Sequence, residues 1–163
     1  MPSQLQVVNA EPIYAALFAL LQQQLQGSPP TFVTVGRRHV SPDELGPAQQ
    51  PALFSIGVGA VDNPRPEGTP GKVTLKALLI VYAFGSALNQ PPGEETELTE
   101  TVINNLILAV RTALAPAFPN GGFNRQTLGG LVRHCWIEGE VSVDPGVYGQ
   151  QAAALIPVHI LVP

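Results

Sequence analysis

Hydrophobic spacing divides the chain into two helices and a set of strands. In NAEPIYAALFALLQQQLQG, residues 9–27, apolar side chains recur at Ile13, Leu17, Leu20, Leu21 and Leu25, which is the spacing of one helix face. Asn9 is the predicted N-cap, Glu11 suits the first turn, and Gly27 ends the helix before Pro29-Pro30. Its polar side is carried by Gln22, Gln23, Gln24 and Gln26, amides that can face solvent or a subunit contact without burying a charge. TFVTVGRRHV and ALFSIGVGAV are short strands read as a hairpin or meander, separated by the turn-rich SPDELGPAQQ.

KVTLKALLIVYAF alternates most clearly. Val73, Leu75, Ala77, Leu79, Val81 and Ala83 fill one face, while the other passes from Thr74 and Lys76 to Leu78, Ile80, Tyr82 and Phe84. Apolar residues on both faces of the distal half predict a central strand. TELTETVINNLILAVRTALAP is the second helix, with Leu98, Val102, Leu106, Ala109, Val110 and Ala113 as its buried stripe. Two strands follow, LVRHCWIEGEVSV and AAALIPVHILV, joined by DPGVYGQ, and Pro157 inside the last one predicts a sheet edge. Two loops remain, 60–72 and 118–130. The proline-rich DNPRPEGTPG of the first reads as a projecting arm or a disordered segment, and the second is rich in Gly and Asn. The prediction is one α+β domain over 1–163, with a mostly antiparallel mixed sheet and two main helices packed on it.

Composition narrows the possible roles. Only 12% of the 163 residues are charged, about half the usual share, so much of the surface is expected to be covered by partners. The net charge is −4, and Arg37-Arg38 is the only adjacent basic pair, so the electrostatic footprint of a duplex-binding protein is missing. A single cysteine excludes an internal disulfide, and no C-x-x-C or spaced His cluster offers a zinc site. The N-terminal residues lack a basic segment followed by an apolar one, and no apolar run approaches the ~20 residues that span a bilayer. These features predict a soluble protein made in a reducing compartment, with no membrane partner.

The densest chemistry lies in RHCWIEGEV, residues 133–141, where His134 adjoins Cys135 and Glu138 follows. Strand alternation separates them: Cys135 shares a face with Arg133 and Ile137, and His134 shares the other with Trp136, Glu138 and Glu140. An adjacent Cys/His dyad is therefore excluded. His39 and His159 remain as nonlocal bases for a small thiol hydrolase, against the commoner reading of Cys135 as a packed small hydrophobe. Glu138 and Glu140, about 6 to 7 Å apart along a strand, read as exposed or cavity-lining charges before paired catalytic carboxylates. Gly57 and Gly59 lie in a strand, so no glycine-rich phosphate loop opens a helix. Arg37-Arg38 reads as a surface or intersubunit salt bridge before a phosphate clamp. No catalytic, cofactor or metal site is predicted.

Residues 124–163, NRQTLGGLVRHCWIEGEVSVDPGVYGQQAAALIPVHILVP, carry a Q-T-L-x-G-L-V segment, a strand with Cys-Trp-x-x-Gly, a D-P-G turn and a closing A-x-x-P-V-x-I-L-V-P strand. This stretch resembles the C-terminal end of tail terminator (minor tail) proteins of long-tailed bacteriophages and prophages. The first half is compatible in element order only.

The resemblance implies an α+β structural virion protein of the tail and neck, assembled in the host cytoplasm, that acts as no enzyme and needs no cofactor. It implies a homo-oligomer, a hexameric ring that caps the major tail tube protein, ends tube polymerisation and provides the head-joining surface for the connector or neck protein. DNA would only pass through the lumen, which acidic or neutral groups would keep from sticking. A ring needs a head-to-tail interface closed by rotation, expected between the closing-strand edge and a neighbour's helix or hairpin. The predicted interface residues are Arg37, Arg38, Arg65, Phe123, Arg125, Trp136, Glu138, Glu140, Pro157 and His159. Of these, Arg65 belongs to the first loop, and Phe123 and Arg125 belong to the second. The neighbouring role of head closure or tail completion would use the same kind of ring protein, and a monomeric ligand-binding domain is a further alternative.

Overall fold

The structure is a computed structural model, which describes residues 8–27, 32–63, 71–84, 99–116, 125–146 and 151–163. Helix α1 (Glu11–Leu25) buries Ile13, Leu17, Leu21 and Leu25 and leaves Gln22, Gln23, Gln24 and Gln26 exposed. Ala10 occupies the N-cap, one residue after the predicted Asn9, although the Asn9 side chain still accepts from the Glu11 N–H at 3.2 Å. The chain leaves the helix through Gly27, whose φ of +88° is a conformation that a Cβ would disfavour.

Strand β1 (Thr34–Gly36) pairs in parallel with β2 (Ala52–Asn63), so these two segments form neither a hairpin nor a meander. A parallel pair requires the chain to return to its starting end. That crossover holds a helical turn, α2 (Pro42–Leu45), and a 3-10 turn (Pro47–Gln49), where the sequence had suggested only loop. β2 and β3 (Lys72–Phe84) form a long antiparallel hairpin whose last pair is Asn63↔Lys72. The loop expected over 60–72 is therefore shorter at both ends, and Arg65 lies outside the described residues. Backbone pairing continues through Asp62 and Asn63 because a hairpin ladder needs only extended backbone, which these polar residues can adopt.

Helix α3 (Thr99–Leu114) buries Ile103, Leu106, Ile107, Ala109, Val110 and Leu114. Val102 and Ala113, expected in the centre of the stripe, sit half-buried at its margin, and Leu98 lies outside the described residues. The predicted strand LVRHCWIEGEVSV is two strands, β4 (His134–Ile137) and β5 (Ser142–Asp144), broken at 138–141 where Gly139 has φ +85°. Both pair with β6 (Gln151–Leu161), which also pairs along its length with β3. The strand order is β1-β2-β3-β6-β4, with β5 beside β6, and β1–β2 is the sheet's parallel pair.

β6 is thus not at the edge, and Pro157 is accommodated differently. The Glu138 N–H donates to the Pro157 carbonyl at 3.0 Å. A strand residue's N–H and C=O point to the same side, so the Pro157 nitrogen faces the break between β4 and β5, where no ladder acceptor waits. β3 is central, as predicted, with Leu75, Ala77, Leu79, Val81 and Ala83 buried.

Helices α1 and α3 cover one face of the sheet and share a continuous core with it, including Leu17, Leu21, Leu79, Ile103, Val110, Ile156 and Ile160. On the opposite face a small second cluster forms where Leu45 of α2 meets Ala52 and Phe54, with Val40, Ile56, Ile80 and Tyr82 packed against it. The rest of that face has no described covering element.

Candidate interaction surface

Register places the side chains of the open face in rows across the strands. One row joins Gly59, Lys76, His159 and Trp136; the next brings together Ile56, Leu78 and Pro157; the third holds Phe54, Ile80, Leu155 and Ser142. Three of the predicted interface residues meet at the first row. The Trp136 ring stacks on His134 at a centroid distance of 5.0 Å and meets His159 edge-on at 5.9 Å, and its indole N–H donates to the Glu138 carboxylate. Pro157 lies in the adjacent row, and Glu140 is exposed at the strand break.

His134 is held from behind. Its Nδ1 accepts from the Gln126 N–H at 3.3 Å, which fixes the proton of the neutral ring on Nε2. Burial and the positive charge of Arg125 both push its pKa below the usual histidine value. Gln126 ties three elements: its side chain donates to the Ala115 carbonyl beyond α3 and accepts from the Leu128 N–H, while its carbonyl accepts from the Cys135 N–H at 2.8 Å. The turn that follows uses left-handed backbone at Leu128, Gly129 and Gly130, closed by Gly130 and Val132 N–H groups donating to the Thr127 carbonyl. These residues complete the second predicted loop, of which Phe123 lies outside the described part.

Cys135 faces the opposite way, into the helix-covered core at 1% exposure, and burial pushes its thiol up to about 12. A shallow depression of about 340 Å³ runs between the end of α3, at Arg111, Leu114 and Pro116, and the side chains of His134, Trp136 and Ile137. Cys135 contributes to its floor. A thiol held this far toward its protonated form is a poor nucleophile, and His134 and His159 lie on the other sheet face. Among the described residues, no three His, Cys, Asp or Glu side chains are grouped to hold a metal ion. None of the described helices is long and apolar enough to cross a membrane.

Arg37 lies away from this cluster. Both its terminal nitrogens donate to Glu11, at 2.5 and 3.1 Å, so it ties the end of β1 to the start of α1 within one chain. That hydrogen-bonded guanidinium holds the Glu11 carboxyl below its usual pKa. Arg38 is exposed beside it. At the far end of the open face, His39 Nε2 and the Tyr82 hydroxyl are 2.6 Å apart, with Phe54 edge-on to both rings. Gln50 and Gln151 exchange amide hydrogen bonds at 2.8 and 2.9 Å across the β3 end, closing that corner of the sheet with no charge.

Alternation in the sequence correctly separates Cys135 from His134, but it does not reveal the apolar rows, because their members come from three strands. Leu78 and Leu155 were the available signal: apolar residues on the face opposite each strand's buried set. No protein-family model matches this chain, and no curated protein matches it.

Proposed function

We propose that the chain is a tail terminator, a structural virion protein that caps the tail tube as a hexameric ring, ends tube polymerisation and offers the head-joining surface. The observation that carries this reading is the construction of residues 125–161. The Q-T-L-G-G-L-V segment ties α3 to β4, and the closing strand pairs with β3, β4 and β5 at once. The stretch that resembles tail terminators is therefore the part that joins the helix layer to the sheet. Leu78, Leu155 and Pro157, which no described element covers, and the low charge content support a subunit that completes its surface by assembly.

Disrupting the gene in its phage or prophage and measuring tail tubes by electron microscopy tests the reading. Tubes of uncontrolled, excessive length are expected, and normal-length tails that fail to join heads would assign the chain to head closure or tail completion instead. Purified protein added to isolated tubes should appear as a ring at one end.

A further inference from the structure

We infer that the open sheet face of one subunit receives helix α3 of a second copy of this chain, with Leu108 seated over Leu78, Leu155 and Pro157. This deepens the ring reading and rests on it. Leu155 is 41% exposed and Leu108 is 61% exposed, although each belongs to an element whose other face is fully packed. Leu78 and Pro157 are half-buried beside Leu155 with no described element over them, while Ile56 in the same row packs against the Leu45–Phe54 cluster.

The other half of the contact is on α3. Thr101, Asn104, Asn105, Leu108 and Thr112 form the uncharged middle of its exposed stripe, with Glu100 in the first turn and Arg111 in the last. An apolar side chain flanked by amides and hydroxyls can be buried without desolvating an ion.

Charge fixes the occupant and its direction. The open face has Lys76 on β3 in the Trp136 row and Asp144 on β5 in the Tyr82 row, about 20 Å apart along the strands and about 10 Å across them. Helix α3 has the reverse order, Glu100 in its first turn and Arg111 in its last, a separation of about 16 Å. Side-chain reach spans the difference. Lys76 and Glu100 have no ion-pair partner among the described residues. Laid along the face, α3 places Glu100 over Lys76 and Arg111 over Asp144.

The complementary halves lie on opposite sides of one sheet, so the contact is head-to-tail and repeats from copy to copy, as a closed ring requires. It also replaces the edge contact expected from the sequence, since β6 is internal.

Disulfide trapping tests this directly, because buried Cys135 will not compete. Leu108→Cys and Leu155→Cys proteins, each checked for an unchanged melting temperature, are mixed at high concentration under mild oxidation. A mixed disulfide in the mixture and none in either protein alone is the expected result. A Leu155→Cys self-pair, or no mixed disulfide, overturns the inference. Exchanging charges supplies a second variant: Lys76→Glu and Glu100→Lys should each weaken self-association in sedimentation, and the double variant should regain it. Loss that the double variant does not regain also overturns the inference. Tail-tube length reads the ring reading independently: assembly and length control without the Leu108–Leu155 pair would sink this contact alone, and normal tails in the absence of the gene would sink the terminator reading.

Discussion

The Tyr14 ring stands where a side chain on Gly57 would begin: a Cβ built there lies 2.6 Å from the nearest ring carbon. The contact sits at a bulge. Gly57 pairs with Ala77 and Gly59 with Lys76, which leaves Val58 without a partner in β3. The Tyr14 hydroxyl donates to the Lys76 carbonyl at 2.9 Å, with the Gly59 carbonyl also in reach at 3.1 Å. One side chain of α1 thus fills the space left by a glycine and satisfies backbone carbonyls at the irregular register.

Gly57→Ala should therefore destabilise the fold by about 1 to 3 kcal/mol, the range for overpacking. Tyr14→Phe keeps the ring and loses the hydroxyl, at a cost of about 1 kcal/mol. Urea unfolding of these variants, of Tyr14→Ala and of Gly57→Ala with Tyr14→Ala gives the coupling. The alanine at position 57 should cost much less once the ring is gone, and an unchanged cost would exclude the steric account.

His134 predicts a pH dependence whose sign is set by its hydrogen bond. Nδ1 accepts the Gln126 N–H, so protonation would place two N–H groups face to face. Burial comes first and the Arg125 charge second in lowering its pKa. The unfolded chain then binds the proton more readily than the folded one. Stability is full above the ordinary histidine value of about 6.5 and declines as pH falls from there toward the lowered folded value. Denaturation curves from pH 8 to 5 should show this decline, and His134→Gln should flatten it. Among the described residues, Arg125 lies near this ring and Arg111 across the depression; His159 and Glu138 reach it only through Trp136.

Cys135 should behave as packing. A thiol-specific reagent should leave the native protein unmodified and react only on unfolding. Cys135→Ala should cost about 1 to 2 kcal/mol from lost apolar burial, and Cys135→Ser somewhat more because a hydroxyl enters an apolar site. The ring assembly and tube capping proposed above should survive both changes wherever the protein remains folded. Rapid native-state labelling would contradict the raised thiol pKa of about 12.

The extent to which the sequence discloses this fold differs from element to element for physical reasons. β3 is legible because its alternation is local and extends over 13 residues. Helix α1 is legible for the same reason, since Ile13, Leu17, Leu21 and Leu25 recur every fourth residue. The parallel pairing of β1 is not, because nothing in Thr34–Gly36 states the direction of its partner; the crossover decides it. The Trp136–His159 contact likewise depends on the register between β4 and β6. Tyr14 and Gly57 are 43 positions apart, and neither residue signals the bulge by itself.

Pro157 gives the sharpest comparison between a local rule and its tertiary resolution. A proline in a strand suggests an edge, yet β6 has β3 on one side and β4 and β5 on the other. The pyrrolidine ring is tolerated because the Pro157 nitrogen faces residues 138–141, where the partner strand is broken. Restoring an N–H there gains no ladder bond, and it loosens the unfolded chain. Pro157→Ala should therefore destabilise modestly, by about 0.5 to 1 kcal/mol, through the unfolded state and without any change in strand pairing. Val158→Pro would remove its N–H from a position inside the β3–β6–β4 ladder, between Ala77 and Ile137, and should cost about 3 kcal/mol or more. Amide exchange on β6 in the Pro157→Ala protein distinguishes the accounts. The N–H introduced by that substitution is expected to exchange as fast as a loop amide, whereas strong protection would mean that it had found an acceptor and that the break in β4–β5 is not what accommodates proline.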